Sequence, residues 1–190
     1  MQRRVYFVGA QCTGKTTLSS FMAKKLGWPL IDEQARVVLA EKKWTLASFA
    51  KDLERAAEFQ RLVLRRQLDK ESELHGQDFI SDRGFDGVAY AAANTLIVSE
   101  FHNSLEFREY LGDFKTFGSI TFFVRPHISL VESDGVRADA YWSSVCRIDG
   151  MIEYILETER IPYIPLESMS LKSRVRTVEG VLHAAGVPYV

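Results

Sequence analysis

Gly9-Ala10-Gln11-Cys12-Thr13-Gly14-Lys15-Thr16 fits the pattern G-x-x-x-x-G-K-[ST], a loop that wraps phosphate groups. Its flanks are those the pattern requires. Arg4-Val5-Tyr6-Phe7-Val8 is a short run rich in β-branched and aromatic residues and predicts a strand. Beyond the loop, Leu18, Phe21, Met22 and Leu26 recur at helical spacing. Gly9 and Gly14 allow the tight curl, because glycine accepts positive φ without a Cβ clash. The N–H groups of Ala10, Gln11, Cys12, Thr13 and Thr17 then turn toward an anion at the positive end of the following helix. Lys15 supplies a cation for β- and γ-phosphates, and Thr16 a hydroxyl for Mg²⁺. An ordinary glycine turn before a helix is the competing interpretation, and the full motif with both flanks disfavours it.

Downstream, Gly27 marks the end of that helix. Pro29-Leu30-Ile31-Asp32 predicts a second strand, closing on Asp32 and Glu33, with Gln34-Ala35-Arg36 opening the next helix. Ligands of open α/β sheets sit beyond the carboxyl ends of the strands. Either acid can therefore act as a general base or clamp for an attacking hydroxyl, or simply favour a helix N-terminus. Thr45 to about Leu74 carries an apolar stripe through Leu46, Phe49, Leu53, Ala56, Ala57, Leu64 and Leu68 and predicts one long helix. Its arginines pair with nearby acids, and one or two of them, or Gln60 or Gln67, could line an acceptor pocket.

Gly76-Gln77 ends that helix. Asp78-Phe79-Ile80-Ser81-Asp82-Arg83-Gly84 predicts a short buried strand ending in an acid and a base. Asp82 is placed to hold Mg²⁺ and Arg83 to touch a phosphoryl oxygen; a local ion pair is the alternative. Asp86, one turn on, could face the same cleft. Val88 to about Gly112 predicts helix, in one piece or in two around Ser99–Asn103, with Tyr90, Leu96, Ile97, Phe101, Leu105, Phe107, Tyr110 and Leu111 as its core residues, and Ser119 to Val124 predicts a buried strand. A loop from His127 to Arg137 and a helix from Ala140 to about Thr158 follow, so residues 126–150 are expected to form a lid. Arg137 and Arg147 would close it over the phosphates, neutralising charge and excluding water. A proline-interrupted edge strand over residues 161–166 leads to a helix from Leu171 to Ala185 capped by Ser170. Arg174 in its first turn is expected to stack on adenine.

The 190 residues suit one domain spanning 1–190, and 46% hydrophobic content suffices for its core. A formal net charge of -1 disfavours a broadly basic nucleic-acid surface, though a local basic groove remains compatible with it. No run is long and apolar enough to span a membrane, and the first motif begins within nine residues of Met1, so a cytoplasmic protein without a signal peptide is expected. Cys12 and Cys146 have neither metal-ligand spacing nor a disulfide framework.

Taken in order, GAQCTGKTT, IDEQAR, SDRGFDG and DGVR with a later arginine resemble the NadR-like AAA-type P-loop kinase family, whose members are similar to nucleoside, nucleotide and nicotinamide riboside kinases. The resemblance covers almost the whole chain. It implies an α/β P-loop NTPase fold: a three-layer sandwich with a parallel sheet of about five strands between helices, and a helical lid. It further implies ATP with Mg²⁺, an acceptor near the second and third strands, and a working set of Lys15, Thr16, Glu33, Asp82, Arg83, Asp134, Arg137 and Arg147. A homodimer is compatible with kinases of this size, although no segment announces an interface.

The leading expectation is transfer of the γ-phosphoryl of ATP to a small nucleoside- or nucleotide-like acceptor, through positioning and charge neutralisation. A kinase acting on a modified base or terminus in DNA or RNA keeps the chemistry but calls for clustered cations. A nucleotide-hydrolysing switch is the third possibility, since the loop is common to both classes. No N-K-x-D base-recognition motif supports a GTPase.

Overall fold

The first strand, β1 (Arg4–Val8), lies at the centre of a five-stranded parallel sheet ordered β2-β3-β1-β4-β5. The computed structural model describes residues 2–49, 52–87, 89, 103–116, 119–130 and 142–187. Along β1 the side chains alternate between the two faces of the sheet. Val5 and Phe7 join a cluster with Leu18 and Met22 of α1 (Lys15–Leu26) and Val178 and Leu182 of the last helix. Tyr6 and Val8 join the other cluster, with Leu64, Phe107, Tyr110, Ile148 and Ile152. Two helical layers thus cover one sheet, and the three-layer α/β arrangement expected from the resemblance is the one observed.

The outer strands are β2 (Leu30–Ile31) and β5 (Ile164–Leu166), both shorter than the sequence suggests. Pro29 stays outside β2, its carbonyl accepting from the Ile80 amide at 2.9 Å. Pro165 is accommodated because β5 pairs on one side only, with β4 (Ile120–Val124). Strand β3 (Phe79–Ser81) is wholly buried between β1 and β2. Helix α2 (Gln34–Lys42) starts where expected.

The single long helix expected from Thr45 to Leu74 is instead two, α3 (Leu46–Phe49) and α4 (Leu53–Glu73). Asp52 causes the restart: its side chain caps α4 by accepting from the Arg55 amide at 2.9 Å. Conversely, α5 (Leu105–Thr116) runs through Gly112 rather than ending there. Phe107, Tyr110 and Leu111 on it are core residues, as expected, whereas Leu105, expected in the core with them, is exposed at the first position of the helix. Tyr90, Leu96, Ile97 and Phe101 lie outside the described residues. After β4 come a 3₁₀ turn (Ile128–Leu130), α6 (Trp142–Thr158) and α7 (Leu171–Ala184), whose N-cap is Ser170.

One carboxylate lies inside the core between α4, α5 and β1. Glu71 accepts from Tyr6 Oη at 2.5 Å, Tyr110 Oη at 2.7 Å and Gln67 Nε2 at 2.8 Å. Burial raises its pKa, and those three donors partly offset the shift. Gln67 also donates to Ser81 Oγ at 2.9 Å, so the network reaches the carboxyl end of β3.

Candidate active site

The carboxyl ends of β1, β2, β3 and β4 converge at one edge of the sheet. At β1 the loop from Gly9 to Thr16 is packed against β4. Gly9 has φ +154°, and a Cβ there would fall 2.5 Å from the Val124 carbonyl oxygen. Gly14 closes the loop in the left-handed region, φ +85°, as the N-cap of α1. No side chain caps that helix, which leaves its N-terminus to a ligand. Lys15 is buried and turns back on the loop, its Nζ donating to the Ala10 carbonyl and, at 3.4 Å, to Thr13 Oγ1. Gln11 and Thr13 are also buried, whereas Thr16 and Thr17 are exposed and Cys12 half-buried with φ +57°.

Asp82, just past β3, meets the loop from the side. Its Oδ2 accepts from Thr16 Oγ1 at 2.5 Å, while its Oδ1 is buried without a hydrogen-bond partner. Burial raises the carboxyl pKa; the charges of Lys15 and Arg83 and the Thr16 hydroxyl pull it back, and Glu33 adds to the rise. An unsatisfied carboxylate oxygen beside a hydroxyl is a donor set that fits a hard divalent cation such as Mg²⁺. Among the described residues no cluster of three or more His, Cys, Asp or Glu could hold a metal. A cation here would thus take its remaining ligands from water and phosphate.

The acids at the end of β2 part company. Asp32 is exposed and offers its carbonyl to Gln34 Nε2 at 2.7 Å. Glu33 turns inward: Oε1 accepts from Arg83 Nε at 3.0 Å and Nη2 at 2.6 Å, and Oε2 from Arg36 Nε at 3.2 Å. Arg83 Nη1 reaches Asp86 Oδ2 at 3.2 Å, and Asp86 Oδ1 accepts from the Gly84 amide at 2.9 Å. Arg83 has φ +139°, a strained backbone for a residue with a side chain, costing roughly 1–3 kcal/mol. The ion pairs on both sides hold it there.

Other expectations fare differently. Arg137 and Asp134 lie outside the described residues, as do all of residues 131–141 of the 126–150 lid segment. Arg147 is on the exposed side of α6. Buried Asp149, two residues on and so roughly 200° around the helix, is on the side that meets the sheet. Arg174 is buried, with its nitrogens engaged by carbonyls: Nε to Ser168, Nη1 to Thr13 and, at 3.2 Å, Nη2 to Arg125. Burial lowers its pKa. Its observed role is to bind the phosphate loop to α7 and the end of β4, a brace that the adenine-stacking expectation did not include.

Sequence reasoning also missed Arg125. Its guanidinium lies 4.6 Å from the Phe123 ring centroid and pairs with Asp149 at 2.9 Å and Glu153 at 2.8 Å. Burial pushes the Asp149 carboxyl up to about 6, against the lowering charges of Arg125 and Lys15. The signal was available: an acid within the apolar stripe Val145, Ile148, Ile152, Leu156.

Residues 4–174 match the AAA domain family model. The chain belongs to the AAA domain family. No curated protein sequence matches it. Among solved structures it is similar to deoxyadenosine kinase from M. mycoides with bound dATP, at 18% identity and TM-score 0.64 over 95% of this chain and 99% of that one. Thymidylate kinase from Candida albicans gives 15% identity and TM-score 0.67 over 97% and 92%. NadR protein in complex with NR gives 17% identity and TM-score 0.66 over 100% of this chain and 53% of that one. At these identities the likeness establishes a shared P-loop kinase fold. Among the described residues no helix is long and apolar enough to cross a membrane.

Proposed function

We propose that residues 1–190 form one cytoplasmic ATP-dependent phosphotransferase domain, which moves the γ-phosphoryl of ATP to a small nucleoside- or nucleotide-like molecule. The observation that carries this is the meeting of two clusters at Asp82. This carboxylate bonds Thr16 on the phosphate loop and feels the charges of Lys15, Arg83 and Glu33. Donor cradle and acid–arginine pair are thus one electrostatic unit.

In this reading the loop amides and Lys15 bind the β- and γ-phosphates, for which Lys15 must leave the Ala10 carbonyl. Thr16 and Asp82 hold Mg²⁺, which supplies charge neutralisation when bound. Glu33 orients the acceptor and Arg83 faces the transferred group; Arg137 and Arg147 would act from the lid. The donor base rests on exposed Ile128 and Met169, in loops that touch where Ser129 Oγ meets Met169 Sδ at 3.8 Å. The kinases of like fold lend this general support.

The test is incubation with γ-labelled ATP, Mg²⁺ and a panel of nucleosides and nucleotides. Label on an acceptor is expected. Release of inorganic phosphate alone would favour a nucleotide-hydrolysing switch.

A further inference from the structure

Arg174 is 4% exposed, and its guanidinium donates only to carbonyls: Nε to Ser168, Nη1 to Thr13 and Nη2 to Arg125. Neutral donors would serve those carbonyls. A guanidinium brings a full charge as well, and burying a charge is costly unless an opposite charge meets it. Neighbouring arginines are met in that way. The Arg125 side chain pairs with Asp149 and Glu153, and Arg83 with Glu33 and Asp86. Among the described residues no carboxylate pairs with Arg174, and its pKa is lowered by burial.

The surroundings add to this surplus. Arg174 lies at the start of α7, where the helix dipole disfavours a cation, and no acid stands in the first turn of that helix. Helix α1 aims its own N-terminus into the phosphate loop, again without an acid in its first turn. Nη1 lies 3.3 Å from where a Cβ on Gly14 would stand. The peptide unit there has the Thr13 carbonyl at one end and the Gly14 N–H at the other. Arg174 bonds the carbonyl, and among the described residues the N–H donates to no acceptor. A hydrogen bond at one end of a peptide unit polarises the other end, so the guanidinium makes that N–H a stronger donor. Resting on the donor half of the phosphotransferase reading, we infer that Arg174 is a positioning residue whose counter-ion is the phosphate chain of the nucleotide. It acts through the Thr13–Gly14 peptide, and its charge, beyond its hydrogen bonds, sets the affinity of the loop for polyphosphate. A passive brace would need only the donors, and an adenine contact would need exposure. Bound phosphate also relieves the unmatched charge at the start of α7 and so fastens that helix to the sheet.

Two substitutions split charge from geometry. Arg174→Lys keeps the charge and loses the planar fork, whereas Arg174→Gln keeps a donor amide and loses the charge. Each variant, once thermal unfolding has shown a cooperative fold, is titrated by calorimetry beside wild type. The probes are inorganic tripolyphosphate and a non-hydrolysable ATP analogue, both with Mg²⁺. Arg174→Gln is expected to bind both at least about thirtyfold more weakly than wild type, and Arg174→Lys to stay within about fivefold, the Coulomb scale for one charge a peptide unit away from a polyanion. A loss under about tenfold in Arg174→Gln, or an equal loss in Arg174→Lys, overturns the inference. The second measurement uses wild type alone and stands even if neither variant folds. Amide exchange in α7 is followed with and without tripolyphosphate, with α5, which packs on the opposite face of the sheet, as reference. Tripolyphosphate is expected to slow exchange in α7 by at least about tenfold more than in α5. Equal slowing in the two helices sinks the inference and leaves the phosphotransferase reading standing. Failure of wild type to bind either probe overturns that reading itself.

Discussion

The phosphate loop and the Glu33–Arg83–Asp86 cluster stand side by side at the same sheet edge, yet they are built in opposite ways. The loop is eight consecutive residues whose anion-binding groups are mostly backbone amides, fixed by glycine geometry and a helix start. The acid–arginine cluster is all side chain, drawn from the ends of β2 and β3, and aimed by mutual charge around a strained Arg83 backbone. Backbone cradles tolerate side-chain change around them, whereas a charge cluster changes meaning with each replacement. Donor recognition should therefore be robust in this architecture, and acceptor choice adjustable.

Replacing Lys15 should produce the largest effect. Lys15→Ala is expected to lower turnover by at least about a thousandfold while the cooperative thermal transition is retained, because a mobile cation is lost from an otherwise intact cradle. Near-normal turnover in that variant would refute the donor assignment. On the acceptor side, Glu33→Gln is expected to reduce kcat by about 10²–10⁴-fold with the ATP KM within about threefold. A rise in ATP KM with kcat intact would mean that the two clusters do not divide the labour as described.

Gly9→Ala tests whether the loop depends on close backbone approach. The added Cβ would collide with the Val124 carbonyl at 2.5 Å in a left-handed conformation. A loss on the order of 3 kcal/mol in denaturant unfolding is expected, with nucleotide affinity falling alongside.

The smallest effect concerns Asp149. Its folded pKa, about 6, lies above the ordinary carboxyl value of 3.8. Such a group favours folding most below pH 3.8, and that contribution is lost as pH rises through about 6. Asp149→Asn should accordingly flatten the pH dependence of the melting temperature between about pH 4 and pH 6.5. An unchanged slope would show that Asp149 is not held in its buried, elevated state.

Legibility in the sequence followed the same divide. β1, the loop and α1 were readable because their determinants are local: a glycine spacing and a 3.6-residue period. Asp82 and Arg83 were readable as the end of a strand, and Asp86 as one turn beyond. Which of Asp32 and Glu33 turns inward was not, because the Arg83 that Glu33 meets is fifty residues away in sequence. The break at Asp52 lay hidden within an unbroken apolar stripe, since helix capping competes with a periodicity that continues across it. Arg174 read as a cation beside a nucleotide site, but only tertiary structure brings it to the Thr13 and Arg125 carbonyls.

That last contact has a consequence for synthesis. The phosphate loop ends at Thr16, yet the guanidinium that braces it belongs to Arg174, far downstream in the nascent polypeptide. A ribosome must translate α7, and α7 must clear the exit tunnel, before the loop acquires its final support. Capture of nucleotide during translation should therefore begin abruptly, once α7 docks.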